Sequence, residues 1–457
     1  MIRLFLAAAI GLLTAFDVSA QGASWRLLRS LTSFTVQVNH DDPSHIMFGN
    51  RRGRVYISHD GGKSFARNDI QTEVVNNSVS SLLWSTADTS IVIAGGFRLD
   101  GIHRSTDGGR TWARVLSDNA NQIIWFISEA IIESTEDPSV LYAARGTVVN
   151  TIYKSTNTGL TWDSVGIIDR ALTSRLCTIT MRPESNGELF VGALGGRIFR
   201  STDDGVSWQS MSVIEEGRDT IRPDSEIPKI VFRRDQPNVG YAVVAISNDL
   251  AREGNGGVLR TTDGGLTWYR MAYADTSLWA VETRQRMDTT DVFIGGFRMS
   301  FQDPSLPGDS IVAVSKDNGI TWTSISDSLN WGISDDASSV ANSWVLRWDT
   351  IGKKLYLAAE TGLFVYDEVL TSVREGQPWG HASLSVITRD GFLDVRDSMR
   401  PASVHWTVHD MKGAQFATGV ADASHDVSLP LSPLTNGVYL LTWETESLIR
   451  SALFTVR

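Results

Sequence analysis

The sequence predicts an all-β chain: a seven-bladed β-propeller of four-stranded antiparallel blades, followed by a small β-sandwich. Three observations predict it. An octet of the form Ser/Thr-x-Asp/Asn-x-Gly-x-Thr/Ser-Trp/Phe recurs six times. Its acid positions, Asp60, Asp107, Asn157, Asp203, Asp263 and Asp317, lie 47, 50, 46, 60 and 54 residues apart. A period of about 50 residues built from strand-like segments is that of a propeller blade. Strand formers, 39 Gly and 15 Trp are plentiful, whereas long amphipathic helical patterns are scarce. Composition then shifts near residue 370, and short alternating segments take over.

Residues 1–20 read as a signal peptide, with Arg3 as the charged start, Leu4 to Phe16 as the apolar run and Val18-Ser19-Ala20 as the cleavage site. Maturation is expected near Gln21, with no Cys following to take a lipid anchor. The apolar run is too short to span a bilayer. No integral membrane segment is expected.

Residues 21–370 are the expected propeller. Each unit opens on an apolar strand, as in Lys229-Ile230-Val231-Phe232, and turns at an Asp- and Pro-bearing stretch such as Asp41-Asp42-Pro43, Asp137-Pro138 or Asp235-Gln236-Pro237. A second strand follows, as in Val140-Leu141-Tyr142-Ala143 or Leu189-Phe190-Val191-Gly192. A Gly- or Arg-bearing loop leads to a third strand, as in Arg197-Ile198-Phe199-Arg200. The octet then turns the chain into a fourth strand. A seventh unit lacks the octet: Ser343-Trp344-Val345-Leu346, Lys354-Leu355-Tyr356-Leu357 and Leu363-Phe364-Val365-Tyr366 are its three strands. Ser24-Trp25-Arg26-Leu27-Leu28 is expected to supply its fourth and close the ring.

The octet itself reads as a tight turn. Its Asp accepts backbone N–H bonds across the turn, its Gly permits a positive φ, and Trp112, Trp162, Trp208, Trp268 and Trp322 pack between blades. The spacing of acids does not fit a calcium loop. Residues 371–380 read as a linker and 381–457 as the C-terminal β-sandwich, with strands at Ser383-Leu384-Ser385-Val386, Ser403 to Val408, Gly437 to Trp443 and Ala452 to Arg457.

Composition narrows the function classes. The net charge of −11 argues against nucleic acid or an anionic membrane as the main partner. The single Cys, Cys177, lies in an apolar run, so it forms no intramolecular disulfide and reads as a small buried hydrophobe. No His-Glu-x-x-His or Gly-x-Ser-x-Gly motif occurs, and Gly62-Lys63-Ser64 lacks the leading Gly of a phosphate loop, Ile57 standing in its place. His405 and His409 share a strand face without a third metal ligand. No cofactor and no metal are expected.

The octets resemble the Asp-box, or BNR repeat, of sialidase-like propellers. The resemblance implies that Asp60, Asp107, Asn157, Asp203, Asp263, Asp317 and the five Trp residues are structural, on the face away from any catalytic centre. The departures are as informative. The sialidases' Arg-Ile-Pro motif is absent, with Arg222-Pro223 and Arg182-Pro183 out of context, and no Tyr–Glu nucleophile pair stands out. Xyloglucanases of the Asp-box kind use acids across a cleft between two propellers, and this chain has one. The tail resembles the C-terminal sorting domain of type IX secretion substrates, on Val408-His409-Asp410-Met411-Lys412-Gly413, on Leu431-Ser432-Pro433-Leu434-Thr435-Asn436-Gly437-Val438-Tyr439-Leu440-Leu441, and on the final strand. Thr388-Arg389-Asp390-Gly391-Phe392-Leu393 stands where that domain usually opens on Pro-Asn-Pro. This resemblance implies export through the periplasm of a Gram-negative bacterium to the surface or medium, with the type IX machinery as a partner.

A ligand is expected on the face opposite the octets, where the second-to-third loops and blade links lie. Those loops repeat an arginine: Arg51 with Arg52, Arg98, Arg145, Arg197 and Arg298, with Arg252 in the long fifth loop. Guanidinium groups gathered on one rim hold a carboxylate, sulfate or phosphate through paired hydrogen bonds. The competing reading pairs each with an acid from a link, Asp100, Asp118, Asp169, Glu215 or Asp224. The long stretches Ile214 to Pro228, Asn248 to Gly257 and Met299 to Gly308 lie on the same face. The sequence is thus read as an exported, monomeric, non-enzymatic binding module for an anionic glycan or a protein partner. A sialidase-like or other glycoside hydrolase is the alternative. An assembly protein resembling the photosystem II stability factor is the third reading.

Overall fold

The computed structural model describes residues 24–117, 129–214, 225–246, 256–299, 307–326 and 342–367, apart from a few single or paired positions, together with the strands between 384 and 456. The signal-peptide and linker residues, Asp118, Glu215, Asp224 and Arg252, and most of the three long stretches named above, lie outside the described residues. All regular structure among the described residues is β. The chain divides into two compact units, Met1–Glu368 and Val369–Arg457.

The first unit is a seven-bladed propeller. Blades 1 to 6 span Thr35–Asp69, Ser81–Ser117, Ile131–Ile167, Leu176–Ser210, Ser225–Ala272 and Thr276–Ser324. Blade 7 takes Ser343–Asp349, Lys354–Ala359 and Gly362–Asp367, and its outer strand is Ser24–Arg29, paired with Gly362–Asp367. The closure has a specific anchor. Trp25 is buried against Tyr366, and its indole N–H donates to Ile325 O of blade 6 at 2.8 Å. Blade 5 departs from the expected four strands. Ser212–Ile214, leaving blade 4, runs parallel to Thr267–Ala272 as a fifth, because Met211 and Val213 bury themselves beside Trp268.

Each octet turns the third strand into the fourth. In blade 2 the Ser105 hydroxyl donates to Asp107 Oδ1 and accepts from the Gly109 N–H. Asp107 also accepts from the Thr111 N–H and hydroxyl at 2.9 and 2.6 Å. Blade 3 keeps the geometry with an amide: Asn157 Nδ2 donates to Thr161 Oγ1, while Oδ1 takes the place of the carboxylate oxygen. The octet glycine meets two demands. Gly265 has φ +88°, and a Cβ there would stand 2.5 Å from Phe190 of the preceding blade. The turn is thus both a hairpin and an inter-blade joint. The Trp indoles of blades 3 to 6 donate to their own octet's Gly carbonyl. Octet and first-to-second turn share a face, since Gly61, Gly108, Thr158 and Gly264 donate to Ser44, Ser90, Ser139 and Asn238 O.

The second unit is a small β-sandwich. One sheet holds Leu384–Arg389, Phe392–Asp397 and Val427–Pro430; the other holds Gln415–Ala421, Val404–Asp410, Gly437–Glu444 and Ile449–Val456. Leu393, Val395, Val404, Val408, Leu429, Tyr439 and Leu441 form the core between them.

Candidate binding site

The axis of the propeller is closed by charge. Glu129 of the link into blade 3 accepts from Lys229 of blade 5 and Arg347 of blade 7, and the Gln37 amide of blade 1 donates to it at 3.3 Å. Arg347 also reaches Glu282 of blade 6 at 3.8 Å. Side chains from blades 1, 3, 5 and 7 can meet only on the axis. Burial pushes the Lys229 amine down to about 8 and the Arg347 guanidinium to about 10. It pushes the Glu282 carboxyl up, against the pull of Lys229. The network places side chains of four blades in contact on the axis.

At the mouth, the inner strands of blades 6 and 7 each carry a bulge at the same place. The register slips between Leu278 and Ala280 and between Ser343 and Val345, which releases Trp279 and Trp344 from the ladder. A bulge re-aims a side chain at the rim of a closed sheet. The two indoles meet edge to face at 5.4 Å, and Trp344 lies 6.2 Å from Phe34 at the start of blade 1. The indole N–H of Trp279 is buried and has no hydrogen-bond partner among the described residues. That of Trp344 donates to Glu360 Oε2 at 3.0 Å.

The sequence-predicted arginines divide into different environments. Arg51 lies over the Phe34 ring at 5.6 Å and donates to Glu360 at 2.7 Å. Its partner comes from the adjacent second-to-third loop of blade 7, not from a link. Arg145 donates to the Tyr153 hydroxyl at 3.2 Å. Arg197 follows the Gly195-Gly196 turn of blade 4 and is exposed. The backbone of Arg298 closes blade 6 against Thr276, and its side chain lies outside the described part. Arg98 is exposed, with its guanidinium 5.4 Å from the Phe97 ring. Arg52 is exposed at the corresponding loop of the neighbouring blade. Of the candidate acids, Asp100 pairs with Arg114 and His103 within blade 2 and leaves the rim arginines alone. Asp169 accepts the Ala171 N–H.

Contacts therefore run without a break from Trp279 through Trp344, Phe34 and Arg51 to the Arg52 loop. From there, the blade 1–2 link leads on to Phe97 and Arg98. Sequence reasoning missed Glu360, Trp279 and Phe34. An aromatic residue near the start of the inner strand, fourth in Thr276–Gln285 and second in Ser343–Asp349, was the available signal for the residues, though not for their bulges. Cys177, at the matching slip in blade 4, is buried, and burial raises its thiol well above the ordinary range. Among the described residues no cluster of three His, Cys, Asp or Glu could hold a metal ion.

No protein-family model matches the sequence, and a search of curated proteins finds no match. Solved structures do match. YCF48 from Cyanidioschyzon merolae superposes with a TM-score of 0.51 at 17% identity, over 75% of this chain and 98% of that one. YCF48 bound to D1 peptide gives 0.50 at 12%, over 76% and 96%. PorZ of Porphyromonas gingivalis is described as an essential bacterial surface component of the type-IX secretion system. It gives 0.51 at 11%, over 93% of this chain, which spans 59% of PorZ. At these identities the likeness shows the fold.

Proposed function

We propose that this chain is an exported, non-catalytic binding module that holds an extended segment of a protein partner across the face of the second-to-third loops. The observation behind it is the line of contacts from Trp279 to Arg98, in which the partly exposed Trp344 is backed by the buried Phe34 and Trp279 and leads to the exposed Arg52 and Arg98, beside the Glu129 network on the axis. Rigid aromatic anchors beside arginine are the residue types that dominate protein recognition. A related fold has been seen with a peptide bound, YCF48 with D1 peptide. The C-terminal sandwich serves as the export address in this reading, because its sequence resembles type IX sorting domains.

Selection of a random displayed-peptide library on the full chain tests the binding role. Selected peptides should lose binding to a Trp344→Ala variant of unchanged Tm and retain it with Ile320→Asp, which alters the opposite, octet-bearing face. Peptides with the reverse pattern, or no selected peptides, would overturn the reading. Residues 381–457 fused to a reporter in a type IX-secreting bacterium should bring it to the surface; periplasmic retention would remove the export role.

A further inference from the structure

Two residues of the strip stand in a backbone conformation that their side chains disfavour. Arg52 has φ +61° and Arg98 φ +52°, at equivalent tips of the second-to-third loops of blades 1 and 2. A left-handed residue at a loop tip is ordinarily Gly or Asn, and a branched-off side chain there costs stability. Such strain persists where the surrounding structure over-determines it, and it gathers at ligand clamps.

The surroundings do over-determine it. The link between the two blades runs as an extended segment between the loops. The Arg52 N–H donates to Asn77 O at 2.7 Å, Arg51 and Ser78 form a bridge, and the Ser78 N–H donates to Phe97 O at 2.9 Å. Gly96 permits this approach, because a Cβ there would lie 1.9 Å from Ser78 O. Behind the second tip, Leu99 is fully buried, and Asp100 is tied to His103 at 2.9 Å and to Arg114 at 2.7 Å. Neighbouring segments in such a ladder stand ~4.8 Å apart, so the two tips flank one segment at roughly 10 Å. Both guanidinium groups are exposed, and neither makes an ion pair among the described residues. Arg51, the third arginine of the group, is already matched to Glu360.

We infer that Arg52 and Arg98 form a preset clamp for carboxylate groups of the bound protein segment, so the partner is acidic at the end that crosses blades 1 and 2. This inference rests on the binding role proposed above and names its partner chemistry. Guanidinium forks match carboxylates in two parallel hydrogen bonds. Two forks rooted at fixed backbone positions on either side of an extended segment suit acidic side chains spaced along another extended chain. The partly exposed Trp344, backed by the buried Phe34 and Trp279, then receives the apolar part of the same segment.

The strain supplies the test. Arg52→Gly and Arg98→Gly each remove a fork while placing at the tip the residue that its φ favours. Fluorescein-labelled hexaglutamate and a labelled sulfated dextran oligosaccharide are titrated against the full chain by anisotropy, at low and high salt. Hexaglutamate should bind, and each glycine variant should weaken it about tenfold or more, the loss expected for one charge-assisted pair. Tm should hold or rise. Lys63→Ala, the same charge change on the octet face, should leave binding unchanged, and Arg98→Lys should recover only part of the loss. The clamp is overturned by unchanged hexaglutamate binding in the glycine variants, by no binding of either probe, or by sulfated dextran alone using the two arginines. A Tm several degrees lower in both variants would make the arginines structural and overturn it too. Library-selected peptides that need Trp344 but ignore both glycine variants would sink the clamp and leave the binding role standing; absence of selected peptides sinks the role itself.

Discussion

A single octet glycine shows how much one residue settles here. Gly265 is held at φ +88° and closed off by Phe190 at 2.5 Å from where a Cβ would be. Gly265→Ala should therefore cost about 2 kcal/mol or more, from backbone strain and overpacking together. Urea denaturation measures it, and a change under about 0.5 kcal/mol, the usual surface range, would contradict the double role. The octet acids make a second prediction. The Thr321 hydroxyl and N–H, then Ser315, hold the Asp317 carboxyl down to about 2 from its ordinary 3.8. In Asp107 burial opposes but the bonds from Thr111 and Ser105 prevail, leaving it at about 2. A carboxyl whose folded pKa lies below its unfolded one stabilises fully above the unfolded value, and the contribution is lost as pH falls through the folded one. Tm should thus fall between pH 4 and pH 2, and Asp317→Asn, which puts in blade 6 the non-titrating residue that Asn157 is in blade 3, should flatten that fall. An unchanged acid slope in Asp317→Asn would refute the assignment.

At the level of the element, the strand Ser24–Arg29 belongs to the last blade although it is the first described strand in chain order. Trp25 ties it to Tyr366 and to the Ile325 carbonyl. Trp25→Ala should cost about 3–5 kcal/mol, as removal of a buried Trp does, and lower Tm accordingly. A loss under about 1 kcal/mol would mean that the ring closes without it. This strand was legible beforehand, because blade 7 lacked an outer strand and Ser24 to Leu28 had the missing alternation. The bulges at Trp279 and Trp344 were not. Register slips by one residue when backbone partners on the next strand allow it, and nothing local in Leu278-Trp279-Ala280 announces that.

For the molecule as a whole, the decisive object is the axial network. Glu129 holds both Lys229 and Arg347, which come from blades that are not neighbours in the ring. Glu129→Gln leaves two partly buried cations without the carboxylate they share and should cost about 2–3 kcal/mol, less than for a fully buried pair. Adding Arg347→Gln should cost less than the two single changes summed, since the residues are coupled. Additive losses in that double-mutant cycle would show that the ring does not depend on charge across its axis.

The repeat in the sequence determined the blade count, the turn chemistry and the face on which the octets lie. A period of about 50 residues repeats local interactions, and local interactions are written locally. The C-terminal sandwich was legible in outline, although Gln415–Ala421 and Val427–Pro430 emerge only when their partners are placed. Which arginines remain open, which one Glu360 occupies, and where Phe34 meets Trp344 were decided by the tertiary structure alone. Those contacts join residues about 300 positions apart in the chain, and only closure of the ring brings them within reach.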